Sequence, residues 1–145
     1  MSELPALDPP TNSEVEPFWA GLATDRLLLP ECDACSHVIW YPRSWCPVCG
    51  HDSVTWTEMS GRGTVYACTV IRKAMGPWAD ATPYVSAYIE LVEGPRILAN
   101  VVADDPGAVH IGALVAAVFV PVTDPPDGSP SRRLLRFAPR GPDHG

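Results

Sequence analysis

Hydrophobic and polar positions alternate with a period of two along most of the C-terminal half of the chain. Runs with this alternation, bounded by segments rich in glycine and proline, are typical of β-strands. They predict five strands, at residues 64–73, 84–91, 96–103, 114–122 and 132–139. The segment "VEGP" after the second strand predicts a tight hairpin, and longer loops follow the third and fourth strands. The chain is therefore predicted to be mainly β.

The fourth predicted strand departs from the alternation because every position from Leu114 to Val120 is apolar. Such a strand is expected to be covered on both faces or to face a partner. Five strands with mixed short and long connections match a small closed barrel of the oligonucleotide/oligosaccharide-binding (OB) type.

One short segment ahead of these strands has helical periodicity. Ser13 and Glu16 have the spacing of a capping box, and they predict a helix over about Glu14–Ala23. The apolar residues on one face of this helix are Phe18, Trp19 and Leu22. A helix this short is not stable alone, so its apolar face is expected to dock on the body of the chain or on a partner.

Four of the five cysteines lie between the helix and the strands, as two Cys-x-x-Cys pairs separated by ten residues. The predicted metal ligands are Cys32, Cys35, Cys46 and Cys49. Each pair can form a tight turn that directs backbone N–H groups toward the thiolates, and Gly50 helps to close the second turn. The ten residues between the pairs are long enough for a hairpin. Because four thiolates leave no open coordination position, the metal is predicted to be structural.

The four cysteines also admit other interpretations, which differ in the metal, the ligands or the chemistry of the thiols. Zinc is the first choice, and iron bound as in rubredoxin uses the same ligands. Two disulfides are disfavoured, because they require an oxidising compartment and the sequence shows no export signal. A redox dithiol is disfavoured as well, because it requires one pair at the start of a thioredoxin-like helix and not two paired turns. His37 and His51 lie beside the pairs and are predicted to be surface residues, because four cysteines complete the shell. The fifth cysteine, Cys68, is placed on one strand face with Tyr66 and Val70, which predicts a core thiol.

Composition and charge narrow the possible functions. The 145 residues are 46% apolar, and 17 acidic against 10 basic residues give a net charge of −7, with Lys73 as the single lysine. This balance disfavours binding to nucleic acid or anionic membranes. The longest apolar run is about half as long as a membrane-spanning helix, and the N-terminus lacks a signal-peptide pattern, so a cytoplasmic protein is predicted. The sequence shows no motif of a catalytic triad, a carboxylate pair or a phosphate-binding glycine loop.

The chain resembles the acyl-CoA-associated zinc-ribbon/OB-fold family, originally a domain of unknown function, over about residues 14–138. The segments that carry the resemblance are "PFWAGL", "RLLLPECDACSHVIWYPRSWCPVCG", "WTEMSGRGTVYACTVI", "PYVSAYIELVEGPRILANVV" and "IGALVAAVF". Ser36 departs from the family, in which glycine commonly follows the first pair, and this is expected to loosen the first turn. The resemblance implies a short helix at 13–26, a rubredoxin-like zinc ribbon at 27–59 and an OB barrel at 60–139. The polar, proline-rich residues 1–12 and the tail at 140–145 are predicted to be flexible.

The resemblance also implies a role. Members of this family are accessory subunits or fused domains of thiolase-superfamily enzymes, including thiolase-like aldolases that remove steroid side chains and an archaeal thiolase/HMG-CoA synthase assembly. The function that it favours is a non-catalytic subunit that supports such an enzyme in steroid (cholesterol) side-chain degradation and helps to form its acyl-CoA channel. The alternatives are a single-stranded nucleic-acid-binding protein, which requires a basic groove, and a rubredoxin-like electron carrier, which requires iron.

Two sets of residues are candidates for contacts in that role. CoA carries phosphates and an adenine, which arginines and an aromatic ring can bind, and the candidates are Arg62, Arg72, Lys73 and Trp78. Taken singly, a residue of this kind is more often a solvated residue at a strand end or in a loop. Buried aromatics anchor protein interfaces, and the candidates for partner contact are Phe18, Trp19, Trp40, Tyr41 and Trp45. The three in the cysteine segment could instead pack between ribbon and barrel.

Overall fold

The computed structural model describes residues 4–123 and 132–141, which contain one α-helix and seven β-strands. Helix α1 spans Glu16–Ala23 and follows a 3-10 turn at Ser13–Val15. The strands are β1 Leu27–Cys32, β2 Val54–Met59, β3 Arg62–Ile71, β4 Tyr84–Leu91, β5 Arg96–Val101, β6 Leu114–Pro121 and β7 Arg133–Pro139. Among the described residues, no helix is long and apolar enough to cross a membrane.

The predicted helix is present, and it docks on the chain's own body. The 3-10 turn ahead of it is capped by Asn12 and not by Ser13, because the Asn12 side chain accepts a hydrogen bond from Val15 N at 3.2 Å, and α1 itself has no side-chain cap. Phe18 is 3% exposed and Leu22 is 0% exposed, so the apolar face lies in the core. Phe18 therefore has no side-chain surface left for the partner contact predicted for it.

Residues 4–12 pack against the body of the chain, although the sequence predicts a flexible segment there. The Ala6 carbonyl accepts from Thr123 N at 2.9 Å, and Asp8 pairs with Arg132 at 3.2 Å. Proline removes backbone donors from this segment but leaves its carbonyls, and these act as acceptors for donors near β7. The segment is called the strap below.

β1 and β2 form the antiparallel pair of the ribbon. Their register places Leu27 opposite Met59 at one end and Cys32 opposite Val54 at the other. Neither strand was predicted from the sequence: β1 is buried at four of its six positions and so lacks a period of two, and β2 alternates only over residues 54–57. The pair brings both ends of the cysteine segment together.

The hairpin expected between the two cysteine pairs does not form. Residues 36–45, all of which the structure describes, contain one isolated bridge, from Val38 to Glu31. The adjacent Ile39 N–H donates to Pro30 O at 2.8 Å. The segment therefore pairs with the edge of β1 in place of pairing with itself.

Strands β3 to β7 close into a barrel in the order β3-β4-β5-β7-β6, with β6 returning to pair with β3. All five predicted strands are confirmed, with ends shifted by no more than two residues. The "VEGP" turn is confirmed by the Gly94 N–H, which donates to Leu91 O at 2.9 Å. The seam between β5 and β7 is parallel and consists of one residue pair, Val101 and Phe137. Along the all-apolar β6 only Val115 is fully buried, so neither face of that strand is fully covered.

Ribbon, helix and barrel share one hydrophobic core. Alternate residues of β4 point into it, and Leu27 and Leu29 of β1 belong to the same cluster as Phe18 and Leu22 of α1. A second, smaller cluster consists of Cys32, Ile39 and Cys46, with Val54 packed against it. The metal site thus has its own small core, joined to the main one through the β1–β2 pair.

A β-bulge in β3 overturns one prediction about strand faces. The register with β4 shifts between Val65 and Ala67, so the residue between them, Tyr66, is an extra residue. Cys68 points inward and packs against the core, whereas Tyr66 is 49% exposed. Cys68 is thus partly a core thiol, as predicted, but it does not share a face with Tyr66.

Candidate functional site

The thiols of the four ribbon cysteines converge beyond the end of the β1–β2 pair. All four Sγ atoms lie within 4.8 Å of one another, with 3.5 Å between Cys32 and Cys49 and 3.6 Å between Cys35 and Cys46. A tetrahedral ion with Zn–S bonds of about 2.3 Å holds its sulfurs about 3.8 Å apart, so the arrangement fits such an ion. The predicted metal site is confirmed, and it would hold its metal as a closed four-thiolate centre.

The two Cys-x-x-Cys turns have the same backbone geometry. Ser36 N donates to Cys32 O at 2.9 Å, and Gly50 N donates to Cys46 O at 2.9 Å. Both donors lie in the left-handed region, with φ of 63° for Ser36 and 79° for Gly50. A serine costs about 1–2 kcal/mol more than glycine in this conformation. The equal hydrogen bonds nevertheless indicate that Ser36 strains the first turn without loosening it, contrary to expectation.

The two histidines beside the turns contribute their backbone. The carbonyl of His37 accepts from Cys32 N at 2.9 Å, and that of His51 accepts from Cys46 N at 2.8 Å. Neither ring belongs to the group of side chains that could hold the metal. His51 is exposed, as predicted, whereas His37 was predicted to be a surface residue and is half-buried.

Without a bound ion, the site would hold both thiols and thiolates. The Cys35 N–H, 3.5 Å from the sulfur, lowers the pKa of Cys32 against the opposing effect of burial. Burial raises the pKa of Cys46, but backbone N–H groups in its turn and the neighbouring thiols outweigh this and lower it to about 7. The His37 N–H acts to lower the pKa of Cys35, whereas burial and the three other thiols raise it to about 12. Metal binding must displace the remaining protons, so it strengthens as pH rises.

The first turn is also fixed to β2 by side chains that do not contact the metal. Asp33 accepts hydrogen bonds from Ser53 Oγ and from Thr55 Oγ1, the latter at 2.6 Å. These two bonds, the one from Ser53 first, lower the pKa of the Asp33 carboxyl. The backbone that carries the first pair of ligands is therefore anchored to the start of β2.

The aromatic residues between the cysteine pairs divide into a packed and an exposed group. Trp40 is half-buried, and its ring lies 5.7 Å from that of Phe18 and 5.3 Å from that of Tyr41. Tyr41 is 44% exposed and Trp45 is 48% exposed. The guanidinium of Arg43 lies 5.6 Å from the Trp45 ring centroid. Trp40 therefore packs between ribbon and helix, and Tyr41 and Trp45 are available at the surface.

The loop that carries these exposed rings is tied to the start of the helix. Glu14 Oε1 accepts from Ser44 N at 2.8 Å and from Ser44 Oγ at 3.1 Å. Trp19, the other aromatic residue predicted to contact a partner, is half-buried on α1 and packs edge-on against Phe18 at 5.1 Å.

The four residues predicted to bind CoA are not brought together. Arg62 begins β3 and Arg72 follows its last residue, so this ten-residue strand separates them by about 30 Å at 3.3 Å per residue. Arg72 and Lys73 are exposed, and the 3-10 turn Gly76–Ala81 follows them. Trp78, in that turn, packs against Tyr84 with 5.0 Å between ring centroids. Arg62 is therefore separated from the other three residues, which follow one another after the end of β3.

The structure also reveals a groove that the sequence analysis missed, where strap, helix, ribbon and barrel meet. It has a volume of about 270 Å³, and Trp19, Trp40, Trp78 and Arg136 are among the residues that line it. Arg136 is 5% exposed, which makes it the one charged residue that is buried among the described residues. The sequence feature that could have indicated this groove is the position of Arg136 between Leu135 and Phe137 in an otherwise apolar run.

Two family models match adjacent parts of this chain. Residues 19–55 match the ChsH2 rubredoxin-like zinc ribbon domain, and residues 56–120 match the ChsH2 C-terminal OB-fold domain. A DUF35 domain-containing scaffold protein of Methanothermobacter thermautotrophicus is 30% identical over 111 residues, which cover 76% of this chain and 84% of that protein. The chain belongs to the DUF35 family. The boundary between its two models falls within β2, in keeping with a core shared by ribbon and barrel.

Two longer relatives contain a similar region. The probable enoyl-CoA hydratase alpha subunit of Thermomonospora curvata is 34% identical over 126 residues, 86% of this DUF35 chain. The 3-oxo-4,17-pregnadiene-20-carboxyl-CoA hydratase alpha subunit of Mycobacterium tuberculosis is 35% identical over 122 residues, 80% of the chain. The chain spans 37% of the length of each of these relatives.

Among solved structures, a chain of an aldolase complex resembles the DUF35 chain over nearly its whole length. A chain of the Ltp2-ChsH2(DUF35) aldolase superposes with a TM-score of 0.75 at 29% identity, covering 91% of this chain and 98% of that one. The similarity therefore includes the ribbon, the helix and the barrel in one arrangement.

Proposed function

We propose that this protein is a non-catalytic accessory subunit that binds and supports a thiolase-superfamily acyl-CoA enzyme. The observation that carries the proposal is the similarity to the ChsH2 chain of an aldolase complex, over 98% of that chain. The closed four-thiolate centre is in keeping with it, because such a centre offers no coordination position to a substrate. We further propose zinc as the metal.

The acyl-CoA substrate is proposed to be a steroid with a partly degraded side chain. Support comes from the relative whose name specifies a pregnadiene carboxyl-CoA ester. The archaeal relatives are named scaffold proteins, which supports a role in holding an enzyme assembly together. The reaction proposed for the complex is aldol cleavage, by analogy with the aldolase that contains the similar chain.

The partner surface is proposed to include the exposed end of the ribbon. Tyr41 and Trp45 present rings there, and Val48 of the second turn is 67% exposed. The metal and the Glu14–Ser44 hydrogen bonds hold this surface in a fixed geometry before binding. A preorganised aromatic surface loses little side-chain entropy on association.

Trp45→Ala is expected to weaken the complex while leaving the metal bound. Interface tryptophans that act as anchors contribute about 2 kcal/mol or more, which corresponds to at least a thirtyfold loss of affinity. The measurement is size exclusion and interferometry with a co-expressed thiolase-superfamily protein from the same genome, together with metal analysis of the variant.

Ile111→Ala is the matched control, since Ile111 is 66% exposed in a barrel loop. It should leave the affinity unchanged. Undiminished binding by the Trp45 variant would remove this surface from the interface. Turnover of acyl-CoA thioesters by the isolated chain would overturn the accessory role itself.

Arg72 and Lys73 are proposed to contact the phosphates of CoA near the ring of Trp78. We expect the double variant Arg72→Glu/Lys73→Glu to raise the KM of the complex for acyl-CoA by about tenfold or more, because two cations are replaced by anions. Arg62→Glu, at the far end of β3, serves as the control with a similar charge change. Steady-state kinetics of the complex would refute the assignment if both variants raised KM equally.

A further inference from the structure

The groove between strap and barrel has an unusual combination of lining residues. Three tryptophans, Trp19, Trp40 and Trp78, contribute to its walls, together with aliphatic residues of β5 and β7 such as Leu98 and Leu135. The polar residues of the lining are the neutral Tyr41 and Asn100 and a single charged residue, Arg136. Apolar pockets with one well-placed polar group are typical of small-ligand sites.

Arg136 is a buried cation without a carboxylate partner among the described residues. Its two hydrogen bonds run to the backbone carbonyls of Leu4 and Pro5 in the strap. A guanidinium has five N–H donors, so these two bonds leave most of them unused. Burial lowers the pKa of Arg136, as expected for a charge removed from water without a counter-ion. A buried charge of this kind is normally paired.

A second donor at the groove also lacks an acceptor. The indole Nε1 of Trp19 is buried, and among the described residues it is the one buried side-chain polar atom with no hydrogen-bond partner. Buried indole N–H groups usually have a partner. Two residues that line the groove thus have unused donor capacity, and its lining has no described acidic group.

We propose that this groove binds an apolar monocarboxylic acid, with its carboxylate on Arg136 and its hydrocarbon body among the tryptophans. A carboxylate accepts two parallel hydrogen bonds from a guanidinium and supplies a counter-charge that no described residue provides. One arginine within an apolar lining suits a single carboxylate better than a phosphate, which carries more charge and more oxygens. The volume of about 270 Å³ lies at the small end of ligand pockets, which favours a medium-length acyl or compact ring acid.

The strap need not leave for such a ligand to enter. Pro5 and Leu7 line the groove, and their segment is anchored to the chain by Ala6 and Asp8. The carboxylate would use N–H groups of Arg136 that the strap carbonyls leave unoccupied. This site lies on the chain itself and does not depend on the partner enzyme proposed above.

The test is titration of the full chain with decanoate, followed by tryptophan fluorescence and calorimetry, with decanol as the uncharged probe. Decanoate should bind, and Arg136→Gln should weaken it by about tenfold or more, because a charged hydrogen bond is lost. Decanol binding should change little. Arg133→Gln, on the same strand but paired with Asp25 at the surface, is the control and should leave decanoate binding unchanged.

A second variant decides the matter if Arg136→Gln does not fold. Leu98 is 55% exposed at the groove, so Leu98→Glu should be tolerated and should repel decanoate. Val92→Glu, at a 65% exposed position outside the groove, supplies the same charge change as a control. No binding of decanoate up to its solubility, or binding that neither groove variant weakens, would overturn the proposal.

Discussion

Cys46→Ser is expected to release the metal and unfold the ribbon. This is the largest effect that we expect from a single substitution in this protein. Cys46 is 0% exposed and supplies a ligand at the centre of the small core that surrounds the site. Structural zinc supplies about 10–16 kcal/mol in zinc-finger peptides, more than a small three-residue core can replace. With one of its four ligands lost, the site binds the ion less tightly, and the two turns lose the metal that holds them together.

The effect should reach the barrel as well as the ribbon. Leu27, Leu29 and Met59 of the ribbon strands lie in the core cluster that includes the barrel residues. When the ribbon unfolds, this shared cluster loses part of its cover, and the whole chain becomes less stable. Amide exchange should therefore be fastest in β1 and β2 and moderately increased in β3 to β7.

The measurements for this variant are metal content by mass spectrometry and thermal unfolding by circular dichroism. Cys68→Ser is the control, because Cys68 is half-buried in the barrel and its thiol contacts Val109 O at 3.8 Å. That control should keep a full complement of metal. A Cys46 variant with full metal content and an unchanged unfolding transition would show that the site does not hold the fold together.

Phe137→Ala is expected to destabilise the barrel by about 3–5 kcal/mol, the usual cost of removing a buried phenylalanine. Phe137 is 0% exposed and has the largest side chain among the fully buried residues. It also lies at the narrowest seam, where it is the β7 residue paired with Val101 of β5 and opposite Ala117 of β6. Since domains are stable by only about 5–15 kcal/mol, the variant should be close to unfolding.

Guanidinium denaturation followed by tryptophan fluorescence measures this change in the free energy of unfolding. Val102→Ala is the control: Val102 is 44% exposed and its N–H donates to Phe137 O at 2.7 Å, a bond that alanine retains. The control should shift stability by no more than about 0.5 kcal/mol. A loss below about 1 kcal/mol for Phe137→Ala would mean that the seam does not depend on this ring.

Features that depend on neighbouring residues could be predicted from the amino-acid sequence alone. β4 was predicted with its observed bounds, Tyr84–Leu91, because alternate burial against one core imposes a period of two on the sequence. The metal ligands were predicted for a similar reason. A Cys-x-x-Cys turn is a local structure, and four thiols at that spacing have few other uses.

The tertiary structure alone decided which distant residues meet. The bulge at Tyr66 changes the face of every later residue of β3, and no local pattern marks it. Arg62 and Arg72, which were both predicted to bind CoA, lie at opposite ends of one extended strand. Arg136 became a candidate ligand-binding residue only when the strap, far away in sequence, covered it. Periodicity and ligand spacing are set within a few residues, whereas burial and pairing of a side chain are set by segments a hundred or more residues away.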